Sequence, residues 1–178
     1  TDAGFAALSR SPTLEYFWGR DAPNFGSAGF AALARMPALR GLAVSLKNVD
    51  DEALSLLPRF PALRQLMPMD VGDEGFRHIG LCRDLEKLWC MYCRETGDCA
   101  TEHLGELSRL QFYYAGMTKI TDRSLEILAG LESLEEVELW QCSGVTTEGV
   151  ARLAALPRLR RLSLDGLQGV GKEVISRF

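Results

Sequence analysis

Residues 134–158 read LEEVELWQCSGVTTEGVARLAALPR, and two hydrophobic spacings share these 25 positions. Val137 and Leu139 follow the opening Leu134 and stand two residues apart, which places both side chains on one face of a short strand. Val150, Leu153 and Leu156 recur every third residue, which predicts one apolar stripe along a helix. Thr146-Thr147 separates the two patterns with residues that end a strand and cap a helix N-terminus. Pro157 cannot continue the helix, so it fixes where the chain turns back.

The same scheme extends in both directions. Residues 110–133, LQFYYAGMTKITDRSLEILAGLES, repeat it with Ile120, Leu125, Leu128 and Leu131. Aligning on the opening leucine gives starts at Leu14, Leu39, Leu63, Leu85, Leu110, Leu134 and Leu159, separated by 25, 24, 22, 25, 24 and 25 residues. Thr121-Asp122, Asp50-Asp51 and Gly72-Asp73 occupy the cap position, and Pro12, Pro37 and Pro61 precede the next leucine as Pro157 does. Strand, turn, helix and return in about 24 residues let each strand lie parallel to its predecessor, with every helix on the other side.

The L-x-x-L-x-L pattern followed by an I/V-T/D-D-x-G-L/F helix start resembles the cysteine-containing leucine-rich repeat over nearly the whole chain. The cysteine of that subtype falls at Cys93 and Cys142, each eight residues after its block's leucine; the other blocks carry Ala22, Lys47, Val71, Thr118 and Leu167 there. The resemblance implies an α/β leucine-rich-repeat solenoid of about seven repeats, with a curved parallel sheet on the concave face and helices on the convex face. It also implies a role in binding a protein, as in the repeats of F-box substrate adaptors and of bacterial leucine-rich-repeat proteins; no F-box is seen here. A single domain spanning residues 1–178 is expected. Because residues 1–5 read as a helix start without its strand, it is expected to be part of a longer array.

In such a solenoid the side chains two, four, six and seven positions after the opening leucine point away from the helices. In the first block these are Tyr16, Trp18, Arg20 and Asp21, and in the second Gly41, Ala43, Ser45 and Leu46. All three tryptophans fall at these offsets over the seven blocks, with three of four tyrosines and four of five methionines. Large apolar groups gathered where the fold exposes them mark an interaction surface. The expected partner site comprises Trp18, Met67, Trp89, Met91, Tyr92, Phe112, Tyr114, Met117, Glu138 and Trp140, for another protein or peptide. Cover by a segment outside this sequence, self-association, and packing of these side chains on one another remain alternatives. Glu136, Glu138 and Asp165, relieved by Arg161, form an acidic flank that could steer a basic residue.

Composition narrows the remaining classes. A 178-residue chain that is 47% hydrophobic and 25% charged can bury a sizeable interior. A net charge of −4 without a basic run argues against nucleic acid, and no apolar stretch suggests a membrane span. Five cysteines form no disulfide framework and neither asparagine begins a glycosylation sequon, so an intracellular, cytoplasmic setting is expected. Cys90 and Cys93 form the one C-x-x-C; the repeat register makes them structural, with Cys99 as the exposed thiol. No catalytic, metal or cofactor site is expected, since two histidines and no nucleophile or phosphate motif leave little to build one from. The alternatives to transient recognition are a scaffold subunit of a larger complex and the substrate-recognition part of a ubiquitin-ligase-like adaptor. Pro68 falls at a strand position, which predicts a kinked third strand that pushes Met67 and Met69 outward.

Overall fold

The computed structural model describes residues 1–19 and 22–178; the face positions Arg20 and Asp21 lie outside the described residues. Seven parallel strands form one open sheet in sequence order: β1 Tyr16–Gly19, β2 Gly41–Ser45, β3 Gln65–Met69, β4 Lys87–Met91, β5 Phe112–Gly116, β6 Glu136–Trp140 and β7 Arg161–Asp165. A helix precedes each strand: α1 Asp2–Leu8, α2 Ser27–Leu33, α3 Asp51–Leu54, α4 Asp73–Ile79, α5 Asp98–Glu102, α6 Asp122–Leu128 and α7 Thr147–Arg152. Equivalent residues of consecutive blocks pair, as in Leu88↔Tyr113, Tyr113↔Val137 and Val137↔Leu162. The register is therefore that of the leucine alignment, and the fold is a leucine-rich-repeat solenoid.

The apolar core lies between sheet and helices. It contains the opening leucines Leu39, Leu63, Leu85, Leu110 and Leu134, the inward strand residues Leu42, Leu66, Leu88, Cys90, Val137 and Leu139, and helix residues such as Phe30, Phe76, Leu125, Leu128 and Val150. Leu14 and Leu159, in the outermost blocks, are only partly buried. The spacing of three resolves differently from a continuous α-helical stripe. α7 ends at Arg152, and Leu153–Ala155 form a 3₁₀ turn, as do Leu57–Arg59. Residues three apart eclipse in a 3₁₀ helix, so Leu153 and Leu156 reach the same core with a shorter element.

The helices are too short to be stable alone and are tied to one another through their first turns. Thr121, Thr146 and Asp50 act as side-chain N-caps. The aspartate that follows the cap does something the isolated repeat does not reveal: it accepts the backbone N–H of the next repeat's cap residue. Asp2 does this for Gly26 at 2.9 Å, Asp73 for Gly97 at 2.9 Å, Asp98 for Thr121 at 2.9 Å and Asp122 for Thr146 at 2.8 Å. Ser27 and Thr147 provide the same acceptor to Asp50 and Gly171. Between α3 and α4 the ladder changes partner, for Asp51 binds His78 at 2.8 Å and pairs with Arg77.

Pro68 does not kink its strand. β3 pairs with β2 along its whole length, Pro68 opposite Val44, but its pairing with β4 stops after Leu66↔Leu88. A proline lacking a backbone donor is accommodated by ending one ladder, leaving the strand itself continuous. Met67 and Met69 both keep the parity of the face away from the helices, Met67 half-buried and Met69 covered there outside the core cluster, and Pro68 is buried, so the strand is not displaced outward at its tip.

Candidate functional site

Alternation along the seven strands sends the odd-numbered side chains of β3, β4 and their equivalents to the face away from the helices. That face is built from large side chains standing over small ones. Trp18 on β1 and Trp89 on β4 originate three strands apart, a separation of about 14 Å at the sheet, yet their rings meet edge to face with centroids 6.4 Å apart. The intervening strands present Ala43 and Met67 at the equivalent positions, and the small side chain on β2 leaves room for the indoles to lean together. Tyr16 lies beside Trp18 at 6.3 Å and leans over Gly41. Trp89 also packs on Phe112 at 4.8 Å.

Two grooves result. The first, of about 510 Å³, is lined by Trp18, Ala43, Gln65, Met67, Lys87 and Trp89. The second, of about 380 Å³, is lined by Met91, Tyr92, Tyr114, Gly116, Met117 and Trp140. Trp18 is 51%, Tyr92 47% and Trp140 37% exposed, large values for side chains of this size. Eight of the ten residues singled out from the sequence therefore line one groove or the other. Of the remaining two, Phe112 is 9% exposed and lies under Trp89 outside the core cluster, so it supports the surface without forming it. Glu138 is half-buried opposite Tyr114 in the strand register.

Backbone geometry shapes the rim. Asp70, Tyr92, Met117 and Gln141 all have positive φ, between 50° and 60°, and Gly166 has φ 66°. These are the same position of successive repeats, seven after the opening leucine. A left-handed residue there ends the strand and turns the chain, a conformation that costs a non-glycine residue about 1 kcal/mol. Its amide still continues the ladder, as Met117 N–H does to the Trp140 carbonyl at 2.8 Å and Gln141 N–H to that of Asp165 at 2.8 Å. Tyr92 and Met117 are thereby brought alongside Met91 and Trp140, the residues at the strand ends.

One position further, the cysteines serve the scaffold. Cys93 Sγ donates to the Pro68 carbonyl at 3.0 Å and Cys142 Sγ to the Ala115 carbonyl at 3.5 Å, equivalent bonds to the preceding strand. Burial pushes the thiols of Cys82 and Cys93 up to about 12 and that of Cys90 well above its ordinary value. These groups stay protonated and unreactive. Cys99 is exposed. In the folded protein a disulfide-exchange thiol reagent at about pH 8 is expected to titrate Cys99 alone in its fast phase, with the other four thiols appearing in denaturant; a second fast thiol would show that the turn cysteines are accessible.

Charge is uneven around the grooves. Arg161 pairs with Glu136 at 3.6 Å, and Ser163 donates to Asp165 at 3.2 Å. Glu138 has no ion-pair partner among the described residues. The Tyr114 phenol is raised above its ordinary value by burial and by the adjacent Cys142, Glu138 and Tyr92 groups. Among the described residues no group of three or more histidine, cysteine, aspartate or glutamate side chains is placed to hold a metal, and no helix is long and apolar enough to cross a membrane.

The fold and this face define the class of molecule: a leucine-rich-repeat solenoid with an aromatic sheet face. Among solved structures the chain is similar to internalin C2 of Listeria monocytogenes, with a TM-score of 0.57 and 15% identity over 97% of this chain and 77% of that one. At that identity the likeness concerns the fold. No protein-family model and no curated protein matches the sequence.

The offsets of two, four and six after the opening leucine also put Gln65, Lys87, Ala43 and Gly116 on this face without assigning them to the site. Their role comes from size and position: Ala43 and Gly116 are the low points around which the aromatic side chains stand. A small residue at a face offset, flanked in neighbouring blocks by large ones, is the signal that identifies a groove.

Proposed function

We propose that this protein is a protein-recognition module that binds a peptide or protein segment along the aromatic and methionine-rich face of its sheet. The observation that carries the reading is the pair of neighbouring grooves walled by exposed tryptophan and tyrosine on a rigid, register-locked sheet. Aromatic and methionine side chains are the residue types enriched at the centres of protein interfaces. Their exposure in grooves distinguishes them from Phe112 and Met69, large side chains of the same face that are buried outside the core cluster. The cysteine-to-carbonyl bonds of Cys93 and Cys142 support kinship with the cysteine-containing repeat subtype. The site uses no cofactor and performs no reaction; its work is binding.

Peptides selected from a random display library on the intact protein are expected to lose binding when Trp89, Tyr114 and Trp140 are replaced together by alanine, while the far-UV circular dichroism stays largely that of the parent. Undiminished binding by the folded triple variant would contradict the reading.

A further inference from the structure

We propose that the groove between Tyr92, Tyr114 and Trp140 receives a methylated ammonium group carried on a lysine side chain of the partner. This rests on the partner-binding reading and adds the chemical group recognised. Met91, Gly116 and Trp140 are register partners across β4, β5 and β6, so the outer two strands stand roughly 10 Å apart with a glycine between them. Tyr114 lies along its own strand and sets its hydroxyl over Gly116, where a Cβ would collide with it. Met91, Tyr92, Met117 and Trp140 complete the lining around it. The glycine between the outer strands leaves a gap beside the Tyr114 ring that is open to a compact head group.

Charge complementarity selects a cation for this gap. Glu138 sits opposite Tyr114 and on the strand of Trp140, half-buried and without an ion-pair partner among the described residues, whereas Glu136 is paired with Arg161. Aromatic faces attract a cation held within about 6 Å of the ring centroid. The degree of methylation follows from hydrogen bonding. An unmodified ammonium carries three donors and a tightly held hydration shell, and the groove answers it with phenols, an indole and two thioethers, the one carboxylate, Glu138, standing beside the lining rather than in it. A methylated head has few or no donors to satisfy and loses less hydration on entry. The groove volume of about 380 Å³ leaves space for the alkyl stem and the adjoining peptide.

The test follows the three indole N–H resonances of the ¹⁵N-labelled, intact protein. Tetramethylammonium chloride, and more tightly a short peptide bearing trimethyl-lysine, are expected to shift Trp140 saturably and Trp18 little, with the unmethylated peptide at least about 5-fold weaker. Trp140→Ala and Gly116→Val are each expected to weaken the trimethyl-lysine peptide about 10-fold or more, and Glu138→Gln about 3-fold or more. A Trp140 resonance that does not move in the parent protein, or that moves equally with ammonium chloride, overturns the proposal without recourse to any variant. The partner-binding reading is judged separately by whether display-selected peptides shift Trp18 and Trp89.

Discussion

Asp98→Ala is expected to lower the unfolding midpoint by about 6–12 °C at neutral pH, corresponding to a loss of about 3 kcal/mol. The Asp98 carboxylate accepts from Thr121 N–H at 2.9 Å, Thr121 Oγ1 at 2.7 Å, Ser124 N–H at 3.2 Å and Ser124 Oγ at 2.5 Å. Ser124 Oγ lies in turn 2.9 Å from Thr101 Oγ1, and both residues are buried. Removing the carboxylate leaves the cap of α6 and a buried hydroxyl pair without their acceptor, in the middle of an array whose stability depends on nearest-neighbour interfaces.

The pH dependence has a definite sign. Burial, the largest single influence, pushes the Asp98 carboxyl up, but hydrogen bonds from the Ser124 and Thr121 side chains and then their backbones outweigh it, and the net shift is downward. A carboxyl whose folded pKa is depressed contributes its full stabilisation above its unfolded value near 4 and loses it as the pH falls through the lower folded value. The difference in midpoint between the parent and Asp98→Ala should therefore be constant through neutral pH and shrink below about pH 4. Thermal unfolding followed at several pH values checks both the size and the sign.

Trp89→Ala is expected to weaken a peptide bound on the sheet face by about 30-fold or more. Trp89 links the first groove to the rest of the face, touching Trp18 edge to face on one side and Phe112 on the other. Its removal merges the groove with open sheet and uncovers Phe112. Because Trp89 belongs to the face and is absent from the core cluster, the fold should persist, with a small decrease in stability from the lost aromatic contacts. Isothermal titration against a display-selected peptide, alongside the unfolding midpoint of the free variant, separates the two effects. Equal affinity for parent and variant would remove Trp89 from the site.

The fold was legible because the leucine period fixes both register and direction: seven leucines predict seven strands, and parity along each strand predicts which side chains leave the core. Trp18, Trp89 and Trp140 were placed on one face by counting alone. Three things were not legible for physical reasons. How far two indoles lean across intervening strands depends on the volumes of Gly41 and Ala43, so the meeting of Trp18 with Trp89 could not be read from offsets. In the sequence Asp73 and Asp122 read only as part of the cap of their own helices, and Asp98 is not singled out. Only the stacking of repeats shows that they serve the next one. Pro68 suggested a kink because a proline in an interior strand lacks a donor, yet ending the ladder to β4 proved sufficient.

The most direct measurement is a chemical-shift map of the ¹⁵N-labelled protein titrated with a display-selected peptide. Binding on the sheet face should move the indole N–H signals of Trp18, Trp89 and Trp140 together with amides of β3 to β6, while those of α4 and α6 stay in place. Shifts confined to the helices, with all three indoles stationary at saturation, would contradict recognition by this face.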